Sequence, residues 1–399
     1  MKFDIFLSIC QTDVDGFMPS EKQMFESFFD QVRLADELGF GTAWVAETHL
    51  SCEVQKHGPK PVIPHFKGEI GLNTDILQMA HVVFGETKQI EIGSAIRNIF
   101  CNGGPVAHAE AVRTFLALHG RKSSEKRRLH LGFASGRFDF SNRPYGIFPR
   151  DPIEEAAWPV VKGKALLEAT EIFVRLLKGE RLSRSDVPTY SLQESDFRKP
   201  EDWQAVYALA QKEVIALEPF WKFDQVGVIP NDVNLDLLRL TIGTHDPDAQ
   251  ILANRFMPVG VFNLSITPPV VIEATHERMR LAYHEAGGPW RRDYMPRTAM
   301  VFLESSTDKA RVAAEKAWTT YWKAMEGTID SRKVEQAVGN ALAGDAEELA
   351  DQIRARYHPE DRLMLWFDFN NHDNEHIKRS MVDFKEKVIP LLEESRWNN

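Results

Sequence analysis

Apolar and polar positions along this chain follow two periods, and the two take turns. Lys2–Ser8 (KFDIFLS) has the length and the Phe and Ile content of a strand. Phe25, Phe28, Phe29, Val32 and Ala35 then fall at the i, i+3, i+4, i+7 spacing of one helical face. That helix is expected to stop at Leu38-Gly39, where glycine suits the left-handed C′ position, and the chain runs straight into TAWVAE. The cycle repeats as helix 74–86, strand 90–95 (IEIGSA), helix 105–119, strand 129–134 (LHLGFA) and a long helix over 153–178. After an irregular stretch come strand 238–243 (LRLTIG), helix 247–256, strand 258–264 (PVGVFNL), helix 268–286, strand 297–303 (RTAMVFL) and helix 307–325. Helix 345–357 leads to strand 362–369 (RLMLWFDF). The closing helix 374–394 carries Ile377, Met381, Phe384, Val388 and Leu391 on one stripe. Alternating strands and helices predict a parallel sheet. Eight such units predict an α/β fold closed as a (β/α)8 TIM barrel, which tolerates insertions up to ~400 residues.

The irregular stretch, roughly 183–237, is the main insertion. Trp203, Val206, Tyr207, Ala210, Val214 and Leu217 predict one amphipathic helix inside it, placed to cover a pocket or to meet a second subunit. No Gly- or Ser-rich linker and no low-complexity tract divides the chain, so residues 1–399 are read as a single barrel domain.

Composition narrows the function classes. A formal net charge of −10 argues against general nucleic-acid binding, which runs on surplus Lys and Arg. The basic run RKSSEKRR at 121–128 reads as a solvated loop. No stretch approaches the ~20 apolar residues that span a bilayer. The opening MKFDIFLSICQTD lacks the h-region of a signal peptide. Three widely spaced cysteines, Cys10, Cys52 and Cys101, do not form a disulfide framework. The expected setting is the cytoplasm.

In a barrel of this kind the chemistry lies at the C-terminal ends of the strands. Those ends are polar: Ser8–Gln11, Glu47-Thr48-His49, Ser94–Asn98, Ser135-Gly136-Arg137, Gly243–Asp246 and Asp368–Asn371. Glu47 and His49 point to the same side if the strand continues, because strand side chains alternate. Glu47 has a framework reading as the partner of Arg97 on the neighbouring strand. His49, whose ordinary pKa is near neutrality, suits proton transfer. Gly243-Thr244-His245-Asp246-Pro247 reads both as an anion cradle at a helix N-terminus and as a plain N-cap with proline at the first helical position; the two are compatible. Two metal patterns are weighed and set aside. Cys10, Cys52, Cys101 and His49 lack the tight C-x₂₋₄-C spacing of structural zinc. His372-Asp-Asn-Glu-His376 matches H-x-x-E-H but falls where polar residues open the last helix. No metal site is expected.

With the units in place, the sequence resembles the bacterial luciferase-like flavin monooxygenases over nearly its whole length. The resemblance rests on MKFDIFLS, DELGFGTAWVAETHL, FGETKQIEIG, IEIGSAI, GPVAHAEAV, GTHDPDAQILANRF and SMVDFKEKVIPLL, in that order. It implies reduced FMN (FMNH₂), or the deazaflavin F420, at the C-terminal mouth, with the phosphate near Gly243, Thr244 and His245. It places Ser94, Ala95 and Ile96 behind the isoalloxazine ring, often with a non-proline cis peptide there. Asn98 joins them at the end of that strand, and Ser135, Gly136 and Arg137 line the opposite part of the pocket. It also implies a separate flavin reductase, O₂ as co-substrate, a peroxyflavin that oxidises a small organic substrate, and a homodimer. The chain departs from the luciferase pattern at Thr48: luciferases carry two adjacent histidines after the strand-two Glu, and here only His49 remains. The expected function is therefore a two-component FMNH₂-dependent monooxygenase with His49 and Glu47 as the catalytic pair. The alternatives are F420-dependent hydride transfer and a catalytically silent flavin-binding protein, with a metal-dependent hydrolase on a barrel a distant fourth.

Overall fold

The computed structural model describes residues 1–51, 63, 65–264, 266–326 and 339–394. Cys52 and most of the 326–343 connection lie outside the described residues. The strand–helix alternation is present as β1 (Lys2–Leu7), α1 (Glu21–Leu38), β2 (Thr42–Val45), α2 (Ile76–Glu86), β3 (Glu91–Asn98), α3 (Gly104–His119), β4 (Leu129–Ala134) and α4 (Trp158–Lys178). It continues with the insertion helix α5 (Pro200–Ala210), then β5 (Leu238–Ile242), α6 (Pro247–Asn254), β6 (Val259–Val261), α7 (Pro269–Ala282), β7 (Arg297–Leu303) and α8 (Thr307–Met325). The last elements are β8 (Leu342–Gly344), α9 (Ala346–Arg356), β9 (Arg362–Trp366) and α10 (Asn374–Asp383).

One curled nine-stranded sheet carries the fold, in the order β6-β5-β4-β3-β2-β1-β9-β7-β8, and each of its ladders is parallel. An isolated parallel bridge, Asn263 with Arg297, ties the chain just past β6 to the start of β7. The strands read as continuous apolar runs because both faces are covered. Their outer face packs Ile5, Val45, Ile92, Leu131 and Ile242 into the main core with the helices. Local signals set the helix ends. Ser20 and Gln23 close a capping box on α1, and Gly39 at φ 78° takes the left-handed stop. The Asp36 carboxylate then accepts from the backbone N–H groups of Lys88, Gln89 and Ile90, binding the end of α1 to the approach of β3.

Several details differ from the periodic reading. β3 runs on to Asn98, with an irregularity between Ser94 and Arg97 where Ala95-Ile96 is a cis peptide. β6 is shorter than the apolar run PVGVFNL. β8 is a three-residue strand pairing with β7, too short to show a period. The closing helix is interrupted by a π-helical turn at Phe384–Val388. Pro390 follows it and has no N–H to give, so a regular i→i−4 ladder cannot run through that point. In the insertion, α5 stops at Ala210, so Val214 and Leu217 of the expected stripe lie beyond it, Leu217 just past a short strand. Trp203 and Val206 are buried against Ala157 and Val161, and two short antiparallel pairs flank the helix.

Candidate active site

The inner face of the sheet is filled from below, and its residues become partly exposed toward the strand ends. At the bottom, buried Asp4 accepts from the Thr42 backbone N–H and from Trp44 Nε1, and pairs with Arg362. Above it Phe6, Trp44, Phe262 and Met364 form an aromatic-rich cluster, with Ala46, Ala95, Ile96 and Trp366 packed on it. Above that cluster the side chains become small. Continuing the alternation from Phe6 and Trp44, the inner positions at the strand ends are Ser8, Ala46, Ala95, Ala134 and Gly243. All five are partly exposed, while Leu7, Val45, Ser94, Phe133 and Ile242 beside them on the outer face are buried. Five adjacent strands thus end in small inner residues, with the Ile96 side chain seated over Gly243. A Cβ on Gly243 would lie 2.1 Å from Ile96 Cδ1, so only glycine lets Ile96 occupy this place. Residues from three loops or helix ends, Phe66, Phe138, Phe140, Tyr321 and Met325, gather into an apolar cluster that also takes in Cys10.

Glu47 and His49 do come together, and on the outer, helix-covered side. Ser94 Oγ donates to Glu47 Oε2 at 2.7 Å and Arg97 Nη1 donates to Oε1 at 3.0 Å. Burial works against ionisation of this carboxyl, but Arg97, His49 and Ser94 outweigh it and hold the pKa below the ordinary range. Arg97 also reaches Asp75 Oδ1, the N-cap of α2, and its Nε donates to His108 Nδ1 on α3 at 2.8 Å. His49 Nε2 stands 3.3 Å from Glu47 Oε1 without completing a hydrogen bond. On its other side, His49 Nδ1 is 3.3 Å from Asn102 Nδ2, whose amide oxygen accepts from the Tyr145 hydroxyl. Thr48, between the pair, is partly exposed, and its backbone N–H donates to the Asn73 carbonyl at 3.0 Å.

His108 completes this network. With Nδ1 accepting from Arg97, Nε2 carries the proton and donates to the Cys101 carbonyl at 3.0 Å. Burial and the Arg97 charge push its pKa down to about 3. Its imidazole ¹⁵N shifts are therefore expected to stay flat from pH 8 to pH 5, with the protonated nitrogen at Nε2. The unfolded chain binds a proton near 6.5 and the buried ring does not, so this residue favours unfolding as pH falls below that value.

The other sequence candidates fall into two groups. Asn98 is buried, with its amide donating to Asn142 Oδ1 at 2.7 Å and accepting from the Phe100 N–H; Asn142 in turn holds the Ser135 carbonyl. Gly136, at φ 70°, lies so close that a Cβ would stand 2.1 Å from Asn98 Nδ2. Arg137 is exposed, its guanidinium 5.4 Å from the Phe138 ring centre. Beyond β5, Asp246 caps α6 through the Asp248 N–H, and Thr244 Oγ1 accepts from the Asp246 N–H. His245 Nε2 contacts Thr267 Oγ1 at 3.1 Å, and burial with the nearby Arg278 lowers its pKa. Arg278, absent from the sequence candidates, adds a cation beside the cradle; its only sequence signal was a basic residue on an exposed helix face.

The HDNEH histidines go to different partners, His372 to the Thr12 carbonyl and His376 to Glu304 Oε1. Among the described residues no group of three or more His, Cys, Asp or Glu side chains is arranged to hold a metal ion. Cys101 is buried, and burial pushes its thiol up to about 12. Among the described residues no helix is long and apolar enough to cross a membrane. Asp368 at the end of β9 stands out among groups the candidate set did not include. Burial raises its carboxyl pKa to about 6, although the Ser8 backbone N–H and hydroxyl both donate to Oδ2.

No curated protein sequence matches the chain. Solved structures do. A monooxygenase from Streptomyces bottropensis, RslO1, superposes with a TM-score of 0.66 at 19% identity over 98% of this chain and 99% of its own. The oxygenating constituent of 3,6-diketocamphane monooxygenase from Pseudomonas putida, solved with FMN, gives 0.57 at 14% identity over 98% of each chain. An F420-dependent secondary alcohol dehydrogenase, solved with an F420–acetone adduct, gives 0.56 at 15% identity, again over 98% of each. At these identities the likeness is one of fold. The family model described as luciferase-like monooxygenase matches residues 1–360, nine-tenths of the chain, and the protein belongs to that family.

Proposed function

We propose that this protein is a flavin-dependent monooxygenase that takes FMNH₂ from a separate reductase and oxidises a small organic substrate with O₂. The observation that carries the reading is the row of small, partly exposed inner residues at the ends of β1 to β5. A planar isoalloxazine ring fits such a floor, since no side chain larger than serine rises from those five positions. The reduced flavin supplies the electrons that activate O₂; the chain binds and orients it, excludes water and manages protons. Ala95 and Ile96 lie under the ring in this reading. Ser94 and Asn98 hold that strand from its outer side. Ser135, Gly136 and Arg137 flank the ring, and Gly243, Thr244 and His245, backed by Arg278, receive the phosphate at the N-terminus of α6. The sheet closes as a (β/α)8 barrel at the Asn263–Arg297 bridge, a homodimer is the assembly, and the cytoplasm is the setting.

His49 is the proton-transfer group of this proposal, with Glu47 and Arg97 setting its surroundings. A His49→Ala variant that turns over at the parental rate would remove that role. The main competing reading, F420-dependent hydride transfer, draws on the likeness to the F420-dependent alcohol dehydrogenase. Anaerobic titration with photoreduced FMN and with reduced F420 separates the two. The expected result is tight binding of FMNH₂, followed on admitting O₂ by a transient absorbance distinct from reduced and oxidised flavin. Preference for F420 would favour hydride transfer, and FMN binding with no transient would favour the silent flavin binder. Failure to bind either cofactor would sink the oxidoreductase reading.

A further inference from the structure

On the inner face of β9, Arg362 sits in the bottom plug, and Met364 and Trp366 belong to the aromatic layer. Two residues further on, the alternation brings Asp368 to the level of the open rim. β1 repeats the sequence of layers, with Asp4 in the plug, Phe6 in the aromatic layer and Ser8 at the rim. The two strands are paired, and Ser8 donates to Asp368 twice. Asp368 therefore stands at the edge of the small-residue floor formed by Ser8, Ala46 and Ala95. Its second oxygen, Oδ1, is buried and faces the indole N–H of Trp366 below it, which favours the carboxylate without completing a regular hydrogen bond.

The same carboxyl lines a second space. A cavity of about 250 Å³ lies between the rim of β1 and the helices α1 and α10, bounded by Ser8, Gln31, Asp368, Asn371 and His372 and reaching exposed Glu26 at its outer end. Gln31 Oε1 is a second buried, unpartnered oxygen among the lining residues. The cavity's lining is about half apolar, with Leu7, Ile9, Phe28 and Ile377 among the polar groups, and a space of this size admits water along its polar side. The ionisable groups facing it are Cys10 from the loop after β1, Glu26 and Asp30 from α1, and His372 before α10. His372 gives its Nε2 to the Thr12 carbonyl, and burial lowers its pKa.

We propose that Asp368 is a second acid–base group of the reaction cleft, passing protons between the cleft and solvent through this side cavity. The proposal rests on the oxidoreductase reading above. In the forward step the O–H bond of the protonated carboxyl breaks and the proton passes to an oxygen atom of the bound reactant that gains negative charge. The carboxylate then recovers a proton from bulk solvent, relayed through the cavity waters, which are left neutral; no electrons leave the protein. The raised pKa of the carboxyl, about 6, suits a group that must be present in both forms near neutrality.

Infrared titration of the cofactor-free protein tests the first half. A protonated-carboxyl C=O band is expected to disappear with a midpoint near pH 6 and to be missing from Asp368→Asn. Absence of any such band between pH 5 and 7 in the parent overturns the proposal. The pH profile of turnover tests the second half. Asp368→Asn is expected to lose the limb near pH 6 and at least tenfold in kcat, with the cofactor Kd held within about twofold. Asp368→Glu should keep a limb, shifted in position. A parental profile in Asp368→Asn, with cofactor binding intact, overturns the assignment of Asp368 alone. A parent protein that binds neither FMNH₂ nor F420 removes the oxidoreductase reading and this role with it, whatever the infrared band does.

Discussion

Glu47→Ala is expected to lower the unfolding free energy by about 3–5 kcal/mol, the usual cost of removing one partner of a buried ion pair. The size follows from what is left behind. Arg97 would remain buried, with Asp75 at 3.2 Å as its remaining carboxylate, while Ser94 would lose its acceptor. Single domains are held by only ~5–15 kcal/mol, so a loss of this size should shift the urea midpoint clearly or prevent soluble expression. Glu47→Gln should cost much less, because an amide oxygen can still accept from Arg97 and the Ser94 hydroxyl can rotate. The sign with pH is fixed by the lowered carboxyl. Its contribution is present above the ordinary value near 4.5 and is lost as pH falls through the lower folded value. The gap between parent and Glu47→Ala should therefore narrow in acid. A urea midpoint for Glu47→Ala equal to the parent's at pH 7 would contradict the framework role.

That a strand-end motif can be read correctly in one respect and be silent in another shows where sequence information stops. The period of two placed Glu47 and His49 on one side of the chain, and they are on one side. Which side was not legible. It depends on Arg97 and His108, some 50 and 60 positions away, and on the way α2 and α3 pack over β3. The elements themselves were legible because each strand is an apolar run bounded by a glycine or polar exit, and each helix keeps its stripe. β8 was not, since three residues carry no period. The π turn before Pro390 was hidden because an apolar stripe continues through it unchanged.

The candidate site shows the same division. Gly136 and Gly243 were picked out by local pattern and resemblance, and in each case a Cβ would meet a specific neighbour, Asn98 or Ile96. Asp368 was visible as the polar end of the last strand, but nothing local distinguished it from Asn370 or Asn371. Its meaning comes from the sheet order, which sets β9 beside β1 and so places Ser8 on the carboxyl. Composition could not show this, because pairing between the first and last strands is a property of the curled sheet.

The floor of small residues leads to the other large expected effect. Ala46→Phe and Ala134→Phe put a ring on the inner ends of β2 and β4, where both positions are partly exposed and no side chain must be displaced from the main core. Overpacking normally costs stability because the interior is already full. Here the added ring starts from partly exposed positions at the strand ends, so the melting temperature should stay close to the parent's. Cofactor affinity should not. A phenyl group on the floor occupies the volume that an isoalloxazine ring would need, and a loss of at least 100-fold in Kd, about 2.7 kcal/mol, is expected for FMNH₂ or F420 alike. Fluorescence titration under anaerobic conditions measures it directly. The outer position next to each alanine supplies the control. Val45→Ala and Phe133→Ala remove buried core side chains and should reverse the pattern, costing about 2–5 kcal/mol in stability and leaving the affinity of the remaining folded protein nearly unchanged. If Ala46→Phe and Ala134→Phe bound cofactor as the parent does, the ring would have to lie elsewhere, and the floor of β1 to β5 would lose its function.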